Sequence, residues 1–415
     1  ITLWAHSPHF YNPTNMDMDA YGRMWVTEGR NYRRHNGRIP EGDRVVVLQD
    51  TNNDGKVDKS HVFVQDPGLV APLGIAVFGN RIVVSQPPEL IVYTDVDNNL
   101  KFDPKIDKRE VLLSGFNGFN HDHSLHSVTA GPSGKWFINQ GNCGALVKDR
   151  SGKTFRIGSS YKGGAKKGAP VNSPAIAGQK SDDGHVWVGG FIGRMNPDGT
   201  NLEIVGHNMR NSYEHTVNSL GEIFQSDNDD PPACRNSYVL EYGSAGFSSA
   251  DGQTSWETAR RPGQSIPVAH WRQEDPGFMP SGDVYGSGSP TGVAFYENGA
   301  LPDKYHGMYL AADAGQRVLF QYFPKNSGAG YEMKRHKLVA AGNKENAFNF
   351  RPSDVEIGAD GAIYLCDWYD PRVGGHADRD ESLSGAIYRI APKSFKAPQL
   401  KPDFTSTQGL LKLLQ

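Results

Sequence analysis

The sequence predicts an all-β protein built by radial repetition: a six-bladed β-propeller, with seven blades as the alternative. Two observations carry this. A glycine turn followed by three or four apolar or alternating residues recurs six times along 415 residues. The composition holds 48 Gly and 26 Pro with 37% hydrophobic residues, which suits short strands joined by polar turns and not helices with wide apolar stripes.

The copies are Asp19-Ala20-Tyr21-Gly22-Arg23-Met24-Trp25-Val26, Gly79-Asn80-Arg81-Ile82-Val83-Val84 and Gly131-Pro132-Ser133-Gly134-Lys135-Trp136-Phe137-Ile138. Ser219-Leu220-Gly221-Glu222-Ile223-Phe224, Tyr305-His306-Gly307-Met308-Tyr309-Leu310 and Ala359-Asp360-Gly361-Ala362-Ile363-Tyr364 complete the set. Each reads as a tight hairpin entering an inner strand. Their spacing is roughly 65–70 residues, the size of a four-stranded blade with long loops. A two-sheet sandwich of this length would need shorter, more regular spacing. Disorder is the other alternative, and 7 Trp, 17 Tyr and 19 Phe argue against it.

The formal net charge is -3, from 43 Lys plus Arg against 46 Asp plus Glu. Such balance gives no long-range field for nucleic acid or an anionic membrane. No run of 18 apolar residues is present to span a bilayer. The chain begins at Ile1 without a signal-type apolar stretch, and reads as a mature or trimmed product. Cys143, Cys234 and Cys366 form no C-x-x-C pair. Cys366 sits in a strand-like run and reads as a buried thiol. Cys143 and Cys234 lie in Gly- and Pro-rich loops, where a disulfide between them is one option. The propeller is expected over 1–392. Residues 393–415 read as a linker and the start of a helical segment, Thr407 to Leu414, continuing into a helical domain of a longer polypeptide.

The strongest local motif is Asp50-Thr51-Asn52-Asn53-Asp54-Gly55-Lys56-Val57-Asp58. Oxygens of Asp50, Asn52, Asp54 and Asp58 fall at loop positions 1, 3, 5 and 9, Gly55 makes the sharp turn, and Lys56 offers its carbonyl. A hard cation gathers six or seven oxygens in this way. His61 stands where an EF-hand has Glu, and strand-like runs flank the loop, so it reads as a structural calcium loop joining two strands. The competing reading is a metal-free turn rich in Asx residues. A second copy, Asp95, Asp97, Asn99 and Asp103, keeps the spacing with Leu100 in place of Gly.

Three further regions carry chemistry. Asn120-His121-Asp122-His123-Ser124-Leu125-His126 reads in three ways: a transition-metal site, a His base held by a carboxylate, or a solvated loop. Arg210-Asn211 can hold a carboxylate or quinone oxygen. The turn Gln225 to Pro231, with Asp229 and Asp230, can hold a cation or be a capped loop. Arg351 can line the same funnel. Asp367, Asp370, Arg372 and His376 read as site residues or, preferably, an ion-paired loop. Trp271 reads as a pyranose platform or plain packing, and Gly288-Ser289-Pro290-Thr291-Gly292 as part of a sugar cleft.

These regions, in this order, resemble the soluble quinoprotein glucose and aldose sugar dehydrogenases. Leu3-Trp4-Ala5-His6-Ser7-Pro8, Trp25-Val26-Thr27-Glu28-Gly29, Gly42-Asp43-Arg44-Val45, the Asp-rich loop and Asp367-Trp368-Tyr369-Asp370 resemble the membrane-bound dehydrogenase domain of planctomycete and verrucomicrobial type. That domain is often fused to helical repeats and a cytochrome c. The resemblance implies a six-bladed propeller in the periplasm or outside the cell. It implies calcium and pyrroloquinoline quinone at the mouth, a sugar or alcohol substrate, and a cytochrome electron acceptor. By that likeness His123 is the base and Asp122 its partner, Arg210 and Asn211 touch the quinone, backbone carbonyls of Asp229 and Asp230 hold calcium, and Arg351 clamps a cofactor carboxylate. The departures are Tyr213 where a cofactor-binding Gln is expected and Ser353 where a second late Arg would stand. Gly315 replaces a Lys, with Arg317 two residues on. Losing two cations should weaken a ligand with three carboxylates, because a buried carboxylate without its partner costs on the order of 3 kcal/mol or more. Two other functions stay open: a non-catalytic propeller binding glycans or proteins, and a calcium-dependent hydrolase or lactonase.

Overall fold

The computed structural model describes residues 1–165, 169–229, 233–343, 345–372, 379, 381–398 and 401–413. Its helices are short, the longest among the described residues being Thr407–Leu413.

Six sheets of four or five strands follow one another along the chain, with a three-stranded sheet (Ala145–Lys148, Thr154–Gly158 and Trp187–Val188) and a two-stranded one (Lys325–Ser327 and Gly330–Glu332) inserted among them. The first runs from Pro13–Met18 through Met24–Glu28 and Arg44–Gln49 to Lys59–Gln65, and the second from Gly74–Phe78 through Arg81–Gln86 and Glu89–Thr94 to Lys108–Ser114. The third starts with Leu125–Ala130 and Trp136–Gln140 and resumes, after an insertion, with Gly190–Met195, Glu203–Met209 and a short fifth strand, Gly243–Ser244. The fourth comprises Ser212–Val217, Ile223–Asp227, Cys234–Val239 and Asp283–Gly286, and the fifth Pro290–Tyr296, Met308–Asp313, Val318–Tyr322 and His336–Ala340. The sixth takes Pro352–Ile357, Ile363–Asp367 and Ala386–Ile390, and its outer strand is Thr2–His6 from the opposite end of the chain. The first strands of successive sheets lie against one another, and that of the sixth lies against that of the first.

All six recurrent turns join the first and second strands of a sheet, so they lead out of the innermost strand and not into it. The glycine in each has φ between +66° and +83°, a region a residue with a Cβ rarely visits, which is why glycine marks these turns in the sequence.

Each gap between neighbouring sheets holds its own apolar cluster. Trp25, Val45 and Val47 of the first sheet meet Ile75, Ile82 and Val84 of the second. Met24, Val26 and Val46 point the other way, onto Trp4, Tyr364 and Cys366 of the sixth. Successive strand residues face opposite sides, and here both sides are covered. Second and third strands such as Arg44–Gln49, Arg81–Gln86 and Glu89–Thr94 therefore read as continuous apolar runs and not as clean alternation. No helix among the described residues is long and apolar enough to cross a membrane.

The three cysteines are buried and none is in a disulfide, so Cys143 and Cys234 are not bridged. Cys234 Sγ instead donates to the Asp229 carbonyl at 2.8 Å, and Cys143 Sγ lies 3.8 Å from His121 Nδ1.

Candidate functional site

Within a sheet the first strand starts, and the second ends, on the same side. Loops entering first strands and leaving second strands thus gather at one end of the ring. There they enclose a cavity of about 640 Å³, whose wall includes Asp122, His123, Arg210, Asn211, Tyr213 and Arg351. Six residues expected at a site from the sequence are thereby brought together from separate sheets. Gly288, Ser289, Pro290 and Thr291 also line it, as do Ser353, Gly315, Asp370 and Arg372.

His123 sits in the loop before Leu125–Ala130 and is 3% exposed. Its Nδ1 meets Asn142 Oδ1 at 2.6 Å, and its ring stacks on Tyr161 with centroids 4.8 Å apart. Since an amide oxygen only accepts, Nδ1 carries the hydrogen and Nε2 is the nitrogen left to accept from the cavity. Burial, reinforced by the positive charge of Arg210, pushes this imidazole well below the usual histidine range, so it stays neutral. Gly141 makes the arrangement feasible: a Cβ there would lie 2.5 Å from Asn211 Oδ1 and 2.8 Å from His123 Cα.

The expected partnership of Asp122 with His123 is not what the structure holds. The Asp122 carboxylate pairs with Arg33 and lies 3.1 Å from His121 Nδ1. Its backbone carbonyl meets His126 Nε2 at 2.8 Å, and burial takes His126 down to about 4. The histidines are thus a buried hydrogen-bonded cluster, and their ring nitrogens form no metal cage among the described residues.

Arg210 donates to the carbonyl and the side chain of Asn228, each at 3.0 Å, and pairs with Asp229 at 3.3 Å. Asp229 also faces His270 Nδ1 at 3.0 Å. Its Oδ1 is taken by Arg210 and its carbonyl accepts from the Cys234 thiol, while the buried Oδ2, though close to His270, makes no hydrogen bond. Asp230 and His376 lie outside the described residues. Asn211 is buried, and its Oδ1 has no hydrogen-bond donor.

Arg351 is 8% exposed, and its Nε has no acceptor. Among the described residues the other guanidinium nitrogens reach only the carbonyls of Ala314 and Phe350 at 3.4 Å and Pro371 at 3.3 Å. Burial, with Arg317 nearby, brings its pKa down to about 10. Arg317 itself does not line the cavity: its guanidinium lies over the Phe348 ring, 4.6 Å from the centroid. It does not replace the missing lysine. Tyr213 lines the wall, packed on His126 at 4.5 Å, with its hydroxyl 3.4 Å from the Thr14 carbonyl. Ser353 Oγ is bound to the Pro13 carbonyl at 2.9 Å.

Trp271 is fully buried, under Arg235 at 3.6 Å with Nε1 on the Ala233 carbonyl, and is packing and not a sugar platform. Besides Tyr213, the wall carries Tyr32 and Trp368, which meet edge to face at 5.5 Å. Asn142, Tyr161 and Tyr32 went unnoticed in the sequence because each is one ordinary residue in a loop, remote from its partner along the chain.

The two Asp-rich loops lie apart from the cavity. In the first, Asp50 accepts from Gly55 N at 2.8 Å and Asp54 N at 3.1 Å, Asn52 from Asp54 N at 2.9 Å, and Asp54 from Lys56 N at 2.9 Å. Asp58 turns its carboxylate to Thr51. In the second, Leu100 adopts φ +65° where the first has Gly55 at +86°. Asp95, Asp97 and Asp107 place carboxylate oxygens within 4.8 Å of one another. Asp107 was missed because it falls one residue beyond the twelfth position of the loop pattern. Asn99 and Asp103 cap Lys101 N and Lys105 N within the same loop.

Many solved structures are similar to this chain, and three examples cover nearly all of it. The PQQ-bound aldose sugar dehydrogenase of Streptomyces coelicolor has a TM-score of 0.58 at 12% identity, covering 94% of this chain and 96% of that one. An oxidoreductase of Thermus thermophilus described as a glucose dehydrogenase has a TM-score of 0.55 at 13% identity, covering 92% and 99%. The PQQ domain of pyranose dehydrogenase from Coprinopsis cinerea has a TM-score of 0.54 at 14% identity, covering 91% and 92%. At such identities the likeness is one of fold. No curated protein sequence matches. The profile of a domain of unknown function, DUF7133, matches residues 1–167 and 161–394, and the chain belongs to that family.

Proposed function

We propose that this chain is a quinoprotein-type oxidoreductase that removes a proton and a hydride from a hydroxyl of a sugar or related alcohol. The six sheets are read as six blades, and the location as periplasmic or secreted. The observation that carries the reading is one cavity holding, among the described residues, both a neutral imidazole with a free Nε2, on His123, and a buried guanidinium without an ion pair, on Arg351. The first is what a hydroxyl proton needs; the second is what an acidic cofactor needs.

The residues fit pyrroloquinoline quinone by one strong anchor. Arg351 has an Nε without an acceptor among the described residues, Arg210 and Asn211 line the same cavity, and Tyr32 and Trp368 supply aromatic surface. With Ser353 and Gly315 in place of two cations, affinity should be lower than three paired carboxylates would give. A bound quinone supplies a two-electron acceptor, from which electrons would pass to a cytochrome. The chain's own residues do the rest. His123 Nε2 takes the hydroxyl proton, Asn142 and Tyr161 keep the ring in place, and Arg351 holds the anionic ligand. A calcium-dependent lactonase would need free carboxylates in the cavity. With Asp122 paired to Arg33, the described wall offers one further carboxylate, Asp370, held by Arg372 N and Arg379 N at 2.7 and 2.8 Å, fewer than a catalytic calcium gathers.

The test is an absorbance titration of the calcium-loaded protein with pyrroloquinoline quinone, followed by dye reduction with a panel of aldoses. Saturable binding with sugar-dependent reduction, lowered at least ~10²-fold in His123→Ala, is the expected result. Absence of binding at micromolar quinone would instead favour a glycan- or protein-binding propeller.

Calcium is proposed to be structural, at the loops 50–58 and 95–107. At a hundred times its Kd, bound calcium should add about 2.7 kcal/mol to stability. The thermal midpoint should therefore rise with calcium and fall with a chelator. Asp95→Asn should remove part of that response, and an unchanged midpoint in the unmodified protein would exclude both loops as calcium sites.

A further inference from the structure

We infer that Asn142 is the positioning residue for His123, and that its neutrality sets the pH range over which His123 can act as a base. The inference rests on the proposed oxidoreductase reading for its catalytic meaning, but its structural part can be tested without any cofactor.

The geometry is specific. Asn142 follows the strand Trp136–Gln140, is 2% exposed, and is tied down through its backbone N–H to the Arg210 carbonyl at 2.8 Å. Its Oδ1 takes the Nδ1 hydrogen of His123 at 2.6 Å. One face of the imidazole is covered by Tyr161, whose hydroxyl is fixed on His121 Nε2 at 3.0 Å. The ring therefore has one tautomer and one orientation, with Nε2 toward the cavity.

Every charged group facing this ring works against its protonation, except one. Arg210 and Arg33 are positive and close, and His126 is a further repulsive neighbour should it be charged. Asp122 is the nearby anion among the described residues, and it is neutralised by Arg33. The rings of His121 and Tyr161 complete the contacts. Asn142 offers only an amide dipole to the imidazolium, where a carboxylate would offer a full charge. His123 thus remains able to accept a proton at mildly acidic pH, where a carboxylate-paired histidine would already be protonated. Its weaker basicity is the counterpart of that range.

The experiment is 15N NMR of the His123 ring in the protein without cofactor, from about pH 4.5 to 9, in wild type, Asn142→Asp and Asn142→Ala. The Nδ1–H tautomer, neutral across the range, is expected in wild type. Asn142→Asp should raise the His123 pKa by about one unit or more, and Asn142→Ala should give mixed tautomers. A wild-type tautomer and pKa in both variants would overturn the inference; Asn142→Asp, nearly isosteric, decides it if Asn142→Ala does not fold. In turnover, the acid limb of kcat/KM should move up with the pKa in Asn142→Asp. An NMR shift without turnover in any protein would leave Asn142 as the positioning residue and remove the oxidoreductase reading.

Discussion

Replacing Arg351 by methionine should make the protein more stable and its cavity almost blind to anions. The guanidinium is 8% exposed. It makes no ion pair among the described residues and reaches only carbonyls at 3.3–3.4 Å. A desolvated charge with such weak compensation is a net cost, and removing it by a side chain of similar length should stabilise the fold by about 1–3 kcal/mol. Urea unfolding reads this directly as a higher midpoint at unchanged slope. The same change should weaken binding of an anionic quinone by about 10²–10³-fold, since losing one partner of a buried charge pair costs about 3–4 kcal/mol. Strain of this kind persists where function needs it. Arg351→Lys should recover part of the affinity, as a point charge without the bidentate fork. A less stable Arg351→Met protein with unchanged ligand binding would make the guanidinium a structural strut, and the cavity would lose its anchor.

The contrast between Arg351 and Arg317 also shows how far the sequence could be read. Arg351 is recognisable because it directly precedes an inner strand, and the chain has no choice but to present it at the mouth. Arg317 sits at φ +56° after the second strand of the fifth sheet, a conformation that aims it at Phe348. Nothing in the spacing of residues foretells that turn. The six hairpins were legible because a positive φ demands glycine, and that demand is written in one letter. Closure of the ring was not, because Thr2–His6 pairs with Ala386–Ile390 and no local signal links the two ends. The same holds for His123 and Asn142. They are nineteen residues apart and adjacent only because Leu125–Ala130 and Trp136–Gln140 pair antiparallel, Leu125 opposite Gln140. Asp122, next in sequence, was the obvious partner, yet neighbours along an irregular loop need not face each other, and Arg33 claimed it from another sheet.

Below the cavity floor the inner strands converge on a set of buried acids, and these should make the protein markedly less stable at alkaline pH. Each inner strand presents an edge with unpaired N–H groups to the centre of the ring. Asp354 accepts from Met16 N at 2.7 Å and from Asn15 Nδ2 at 2.8 Å, and Glu214 from Val293 N at 2.8 Å and Asn15 Nδ2 at 3.1 Å. Asp17 accepts from Val77 N at 2.6 Å. These carboxyls satisfy edges that would otherwise be orphaned, but they are close to one another and out of water. Burial pushes Glu214 well above the usual carboxyl range, with Asp354 adding to the effect. Burial likewise raises Asp354 to about 6 and Asp17 to about 7, and Glu356 rises well above its ordinary value through burial, with Asp17 beside it. A raised carboxyl binds its proton more tightly folded than unfolded. Its contribution is therefore complete below about pH 4, where the unfolded chain also holds the proton, and is lost as pH climbs to about 7. Over that window the stability should fall by on the order of 3 kcal/mol, read as a lower urea midpoint at about pH 8 than at about pH 5. Glu214→Gln supplies an amide that can donate to Asp354 as the protonated acid does, without titrating. It should flatten the slope and raise the midpoint at the alkaline end, while the acidic end falls modestly, since the amide nitrogen cannot accept from Asn15 Nδ2 or Val293 N as the acid oxygen does. A slope as steep in Glu214→Gln as in wild type would mean that the charge at the centre of the ring is relieved by water or a cation, and not by a shared proton.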